Sequence, residues 1–415
     1  MREMKYSGVE WIGDIPEEWD IRKIASVVPI VTDFVASGSF ADLRNNVKYL
    51  DSPDYAMLVR TADLSGTRDN IVYIDKHAYD FLSNSNLFGG EIILSNIGSV
   101  GNVFQYKPMY ERSSLAPNAI MLNGTECNRY LYYWFLSPIA NEELKRIGSH
   151  AVQLKFNKTQ LKQMAIVYPP LPEQQAIADI LDRKCTQIDA LIANEEQQIA
   201  KLKAYKQSVI TETVTKGLNP DVPMKDSGND YICQIPIHWK AIKIKYLCTM
   251  QAGKNLISEQ IAESGTYPVY GGNGIRGFFS EPNYKGECLL VGRQGALCGN
   301  VHYVSGEFWA TEHAVITEPK KEVSIKYLFY LLTGVNLNLY VSPTAAQPGL
   351  SVNTVQNVIV CLAPIDEQQQ IADYLDQKCE QIDRLIAIKQ QKIEKLQQYK
   401  KSVIYEYVTG KREVE

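Results

Sequence analysis

Residues 173–215 read EQQAIADILDRKCTQIDALIANEEQQIAKLKAYKQSVITETVT, and residues 367–409 read EQQQIADYLDQKCEQIDRLIAIKQQKIEKLQQYKKSVIYEYVT. The two segments align without a gap at an offset of 194 residues, and 28 of their 43 positions are identical. Each reads as one long helix. In the first, Leu181, Cys185, Ile188, Ile192, Ile199, Leu202 and Val209 fall at alternating three- and four-residue steps, with Glu195 and Lys206 in the remaining seam positions. That is a heptad-like stripe on one helical face. Pro172 suits a first helical position, where its missing N–H costs no bond. Gly217 suits the stop, with Pro220 beyond it. At 1.5 Å per residue each helix would be about 65 Å long, too long for a compact core and suited to a spacer or rod. Unrelated coiled coils would share the apolar pattern, but not the cysteine, aspartates and glutamines between the apolar positions. The repeat is therefore an internal duplication.

Working outward, each half opens on a shared motif. Residues 7–19 read SGVEWIGDIPEEW and residues 227–239 read SGNDYICQIPIHW. The first half is the longer by 26 residues, all of them between this motif and the helix. Both halves carry short strand-like runs punctuated by Gly, Asn and Pro: Glu91–Asn96, Val100–Tyr106 and Ala119–Leu122 in one, Glu287–Val291, Gly299–Val304 and Ala314–Thr317 in the other. Residues 97–103 correspond to 294–301 with one residue inserted, and Tyr130–Leu136 corresponds to the apolar run Tyr327–Leu332. The expected class is α+β: two similar α+β domains that share one fold, with diverged loops, each attached to a long helix. The expected boundaries are 1–170, the first helix 171–216, the second domain 217–364, and the second helix with its tail 365–415.

Composition excludes several classes. The chain has 415 residues, 22% of them charged, and a net charge of −4, which argues against a uniformly basic nucleic-acid binder but not against local basic patches. The first residues, MREMKYSGVEWIG, hold no apolar signal core, and no apolar run reaches membrane-spanning length, so a cytoplasmic protein is expected. The eight cysteines are scattered without a Cys-x-x-Cys pair and read as buried thiols, with no metal site. His313 beside Glu312 is the one His–carboxylate neighbour pair, and on a strand the two side chains would diverge. No phosphate-binding Walker sequence, nucleophile elbow or His-Glu-x-x-His occurs. Residues 271–277, GGNGIRG, are glycine-rich but do not join a clear strand to a long helix, and read as a loop that lets backbone approach a partner.

What remains is recognition. Planar and basic side chains cluster near glycine-rich turns: Lys254, Asn255, Asn273, Arg276, Arg293 and Gln294 in the second half, and Arg44, Lys48, Arg60, Arg68, Asn96, Asn118, Lys155 and Lys158 in the first. Arg, Asn and Gln can read base edges through paired hydrogen bonds, and Lys holds phosphates. On the helices, Ile177, Ile210, Ile371 and Ile404 lie off the seam and are expected to meet another protein.

The layout closely resembles the specificity subunit of type I restriction–modification systems. The residues that carry the resemblance are Ile15-Pro16 with Trp19, Ile235-Pro236 with Trp239, residues 170–175 (PLPEQQ), residues 364–369 (PIDEQQ), and the two Lys-Cys-x-Gln-Ile-Asp-x-Leu-Ile helices. Residues 267–272 (YPVYGG) and 291–295 (VGRQG) also look like family segments, whereas the first half has Ser95-Asn96-Ile97-Gly98 where the second has Gly292-Arg293-Gln294-Gly295. The resemblance implies two target-recognition domains, each reading half of a split double-stranded DNA site. It implies long helices paired as an antiparallel coiled coil, and a pseudo-two-fold internal repeat. It implies two methylation subunits and, in the full complex, restriction subunits as partners. No active site or cofactor is expected on this chain; S-adenosylmethionine, ATP and Mg²⁺ belong to the partners. The residues agree independently, since a duplicated domain–rod unit suits two half-sites with an unread gap.

The helices match without a gap although the domains differ in length, so rod length is the dimension expected to set the unread gap. Four residues added after Asn194 supply about one turn, roughly 6 Å, and nearly keep the helical face. At about 3.4 Å per base pair the gap should lengthen by about one or two base pairs, with both half-sites unchanged. Two added residues turn the stripe by about 200° and should abolish function. Mapping of methylated sites reads both outcomes.

Overall fold

The computed structural model describes residues 2–67, 70–148, 154–228, 232–295, 298–341 and 349–414. The chain divides into two compact units, Met1–Asn194 with Lys392–Glu415, and Glu195–Gln391. Both boundaries fall inside the long helices, Leu171–Lys216 and Ile365–Val408. Each unit therefore holds one α+β domain, the start of the helix that follows that domain, and the end of the other helix.

The two units are framed alike. In the first, Met4–Tyr6 pairs antiparallel with Asp14–Pro16, and Asp20–Lys23 pairs antiparallel with Ala165–Tyr168. In the second, Met224–Asp226 pairs with Gln234–Pro236, and Lys240–Lys243 with Ile359–Leu362, again antiparallel. These pairings bring the two ends of each domain together at the start of its helix. Inside the frames the sheets differ. Among the described residues the second unit carries one six-stranded sheet, in the order Cys248–Ala252, Ala314–Pro319, Tyr284–Gly292, Val301–Ala310, Tyr267–Gly271, Gly274–Phe279. The first carries a four-stranded sheet (Ile30–Asp33, Ala119–Asn123, Ile92–Ser95, Val103–Gln105) and a second of Tyr73–Ile74, Ala56–Val59, Ser113–Leu115 and Asn86–Leu87. Most of that second sheet comes from the stretch between the strands at Ile30 and Ile92, consistent with the extra length of the first half.

The domains dock on the helices through repeated contacts. Tyr130 donates its hydroxyl to the Val167 carbonyl at 2.8 Å, and Tyr327 does the same to Cys361 at 2.8 Å. Tyr133 reaches Asp182 at 2.7 Å, and Tyr330 reaches Asp376, the equivalent residue, at 2.7 Å. Burial and these carboxylates both push the two phenols well above the usual tyrosine range. Arg129 pairs with Asp182, and Lys326 with Asp376, each at 2.6 Å.

The opening motif supplies the clamp. The Trp19 indole N–H donates to Glu173 at 2.7 Å and that of Trp239 to Glu367 at 2.9 Å, in both cases to the first turn of the domain's own helix. The same rings meet the end of the other helix. Gly410, at φ +70°, leaves no room for a Cβ: one would lie 2.2 Å from Pro16 and 3.0 Å from Trp19. A Cβ on Gly217 would lie 3.2 Å from Trp239. Beside each glutamate, a glutamine secures the preceding chain: Gln174 donates to the Pro169 carbonyl at 2.8 Å and Gln368 to that of Ala363 at 2.9 Å. The Ile-Pro-x-x-Trp and Glu-Gln-Gln signatures are thus two sides of one joint.

The helices pair within both units in an antiparallel sense. Lys400 bonds Asp189 at 2.7 Å in the first unit, and Lys206 bonds Asp383 at 2.6 Å in the second. The four isoleucines expected to face a second protein are instead buried in the chain's own cores: Ile177 and Ile404 in the first unit, Ile210 and Ile371 in the second. A helix that supports both a seam and a docked domain needs a wider apolar face than a seam alone. The exposed large apolar residues on the rods are others, including Leu191, Leu385, Ile388 and Tyr374. The cysteines are free thiols, seven of them buried. Burial pushes Cys185 up to about 11 and Cys361 up to about 12, so the buried ones pack as small apolar groups. Cys233, expected to be buried, is instead exposed, just before the strand Gln234–Pro236.

Trp239→Phe should keep most of the buried ring and delete the donor to Glu367. The expected cost is about 1–3 kcal/mol, read as a lower thermal midpoint of the full chain. A variant that melts with the parent would remove the indole–carboxylate bond from the clamp.

Candidate nucleic-acid interface

In the second unit the sheet gathers the sequence-selected residues at one end. The turn at Lys254 is tied to the strand end at Ala310: Lys254 N–H donates to the Ala310 carbonyl at 2.9 Å, and the Trp309 indole donates to the Lys254 carbonyl at 3.2 Å. The hairpin Tyr267–Gly271/Gly274–Phe279 turns at Asn273, whose side-chain oxygen accepts from Asn300 at 2.8 Å. Its backbone crosses that of Gly292 so closely that a Cβ there would fall 1.8 Å from the Gly272 carbonyl oxygen, which is why glycine is required. Arg293 follows. Its N–H donates to the His313 carbonyl at 3.0 Å, and its own carbonyl accepts from Leu350 at 2.8 Å. Gln294 bridges to Gly349. Lys254, Asn255, Asn273, Arg276 and Gln294 are exposed and Arg293 is half-buried. Lys254, Asn255, Asn273, Arg293 and Gln294 therefore share one rim of turns and loops, while Arg276 stands on the strand Gly274–Phe279 beside it; the stretch 271–277, expected as a loop, is a tight hairpin.

The His–carboxylate neighbour pair also stands at this rim. Glu312 and His313 lie in the tight turn between Val301–Ala310 and Ala314–Pro319, not on a strand, and their side chains converge to 3.1 Å. The expectation that they diverge fails because a two-strand reversal folds them onto one side. Thr311 Oγ1 and Glu312 Oε2 are buried there without a hydrogen-bond partner among the described residues. The signal available beforehand was the Thr-Glu-His run between two apolar strand patterns.

The first unit repeats the same backbone frame. Asn96 N–H donates to the Asn118 carbonyl at 3.2 Å, the Asn96 carbonyl accepts from Phe156 at 3.2 Å, and Ile97 bridges to Lys155. These bonds match those of Arg293 with His313, Arg293 with Leu350, and Gln294 with Gly349. Asn96, Asn118 and Lys155 thus come together, Asn118 exposed at φ 70°. Asn96 is half-buried and its amide donates to the Phe156 carbonyl at 3.1 Å, so it is engaged in the frame. Lys158 pairs with Asp33 at 2.8 Å, which occupies its charge within the chain. Arg60 is likewise held, at 2.6 Å and 3.0 Å, by Asp63. It lines a cleft of about 420 Å³ together with Tyr49, Thr61 and Asn118. Lys48 is exposed next to Tyr49, whereas Arg44 stands on the exposed face of the short helix Phe40–Asn46. Arg68 lies outside the described residues. Among the described residues no His/Cys/Asp/Glu group is arranged to hold a metal ion, and no helix is long and apolar enough to cross a membrane.

Comparison with known proteins agrees with this geometry. A family profile described as the type I restriction modification DNA specificity domain matches residues 16–204 and again 236–398. The specificity subunit of the type I restriction enzyme EcoprrI from Escherichia coli is 47% identical over 131 residues, 31% of this chain and 32% of that protein, so the match spans about a third of that relative. A putative type I restriction enzyme MjaX specificity subunit from Methanocaldococcus jannaschii is 25% identical over 424 residues, covering 96% of this chain and 95% of that one. A solved chain from work on complex assembly and conformational transition of the type I R-M system aligns with a TM-score of 0.69 over 96% of this chain and 99% of that one, at 14% identity, a likeness of fold. The two profile matches fall one on each half of the duplication, each taking in a recognition frame and most of the helix after it, and the chain belongs to the type I restriction modification DNA specificity family.

Proposed function

We propose that this chain is the sequence-reading, non-catalytic subunit of a type I restriction–modification complex, and that each unit reads one half of an asymmetric, bipartite double-stranded DNA site. The observation that carries this reading is the shared backbone frame with different side chains upon it. Arg293 stands where the first unit has Asn96, and His313 where it has Asn118. A frame that fixes backbone and varies planar, hydrogen-bonding side chains is what base readout needs, and unlike readers imply unlike half-sites. The methylation subunits would dock on the assembly and the restriction subunits join them, with S-adenosylmethionine, ATP and Mg²⁺ bound on those partners. The site of action would be the cytoplasm, with the DNA.

The antiparallel ion pairs refine the test of rod length. Asp189–Lys400 and Lys206–Asp383 lie on opposite sides of Asn194, so an insertion in one helix alone must break one of them. Matched four-residue insertions after Asn194 and after Ile388 keep both, and form the proper comparison with the parent.

Arg293 is the reader to test first. Arg293→Ala, in the complex with its methylation partner, should relax one base position of one half-site and cost about 1–3 kcal/mol in binding of the specific site. Replacing residues 20–170 with the corresponding domain of a relative should change the other half-site alone. Methylome mapping reads both; a change in both half-sites from either variant would refute independent reading.

A further inference from the structure

The two flanking ion pairs are one pair made twice. Asp383 is the repeat equivalent of Asp189, and Lys400 that of Lys206. Asp189–Lys400 and Lys206–Asp383 are therefore the same contact with the two helices exchanged. A first-repeat helix meeting a second copy of itself could form it equally well, as Asp189 against Lys206. These pairs fix direction and register, but they do not choose a partner.

Between them lies a position that does. Glu195 and Lys389 occupy the same place in the repeat, and they touch: Lys389 Nζ lies 3.0 Å from Glu195 Oε2 and also donates to Gln198. The position faces its own repeat mate. In an isologous pairing of two identical helices, such a position meets itself. Two first-repeat helices would bring Glu195 to Glu195. Two second-repeat helices would bring Lys389 to Lys389, with Lys392, the equivalent of Gln198, beside it. The Glu195 side chain is 5% exposed and that of Lys389 is 23% exposed, so water screens little of this interaction. Within a segment that is otherwise mostly identical, the divergence at 195/389 and 198/392 is acidic or neutral on one helix and basic on both positions of the other.

We infer that the Glu195–Lys389 pair is a partner-selecting lock: it directs the seam of each long helix to the other repeat of the same chain and rejects the like helix of a second copy. Attraction in the native pairing is matched by repulsion in the competing one, and this difference gives specificity that the flanking pairs lack.

The test uses the full-length chain. Glu195→Lys and Lys389→Glu each place like charges at the centre, and should lower the thermal midpoint by about 4–8 °C. The double reversal should return it to within about 2 °C of the parent. Differently tagged Glu195→Lys and Lys389→Glu chains, expressed together, should copurify, because every pairing across the copies regains opposite charges. Two parent chains, or two Glu195→Lys chains, should not. These comparisons remain readable where a single variant fails to accumulate alone. A double reversal as unstable as the single variants would overturn the charge lock. A restored double reversal with no copurification of the complementary chains would overturn its role in choosing the partner.

Discussion

One carboxylate in each unit ties domain to rod. Glu173 and Glu367 sit in the first turns of the long helices, where a negative charge is favoured by the helix dipole. Each accepts the indole N–H of the tryptophan that closes the opening motif. That ring is fully buried in both units, and the glycine that ends the other helix lies against it. A single side chain therefore registers three pieces of chain: the start of the domain, the helix that leaves it, and the helix that returns from the other repeat. The adjacent glutamine fastens the last strand of the domain to the same point. Partners around the glutamate differ, Arg2 in the first unit and His238 in the second, while the tryptophan bond is constant.

This joint explains why the two cores can be alike while the sheets are not. Each core gathers residues from the opening motif, the apolar domain helix, and both rods. The sheets project from that core. The first unit adds a second four-stranded sheet over its own small clusters, with Leu58 and Ile74 in one and Met57 and Leu115 in another. Such an addition changes no contact in the clamp, so a longer domain leaves the rod register untouched.

Much of this was legible beforehand, for physical reasons. The duplication stood out because the helical seam and the docking contacts constrain most of the 43 positions, polar ones included: Asp182 and Asp376 hold tyrosines, and Asp189 and Asp383 hold lysines. Strand-like runs were found where apolar residues were continuous, as at Ile92–Ser95 and Ala314–Pro319. The width of the apolar helical face was misread. A seam pattern says which residues face another helix, but not that Ile177 and Ile404 are covered by a domain folded against the same rod. The candidate site was legible only in part. Residue type chose Arg293 and Asn273, but also Lys158, whose charge is taken up by Asp33, a residue 125 positions away. Glu312 and His313 converge because the chain turns between two strands there, a reversal that the apolar runs on either side do not by themselves reveal.

The rim of the candidate interface shows why such loops can diverge without loss of fold. Its defining bonds are made by main chain: Arg293 N–H to the His313 carbonyl in one unit, Asn96 N–H to the Asn118 carbonyl in the other. Backbone groups bond whatever side chain they carry. Arginine can therefore stand where the other unit has asparagine, and histidine likewise, while the loop keeps its place; in the first unit the Asn96 amide adds a bond of its own to the Phe156 carbonyl. The exceptions mark where backbone approaches backbone, as at Gly292 against Gly272, and there the residue is not free to change. A scaffold of this kind separates two demands that compete in most binding sites. Main-chain bonds hold the loop in position, and under the proposed function its side chains would determine what it reads, free to vary without disturbing the frame.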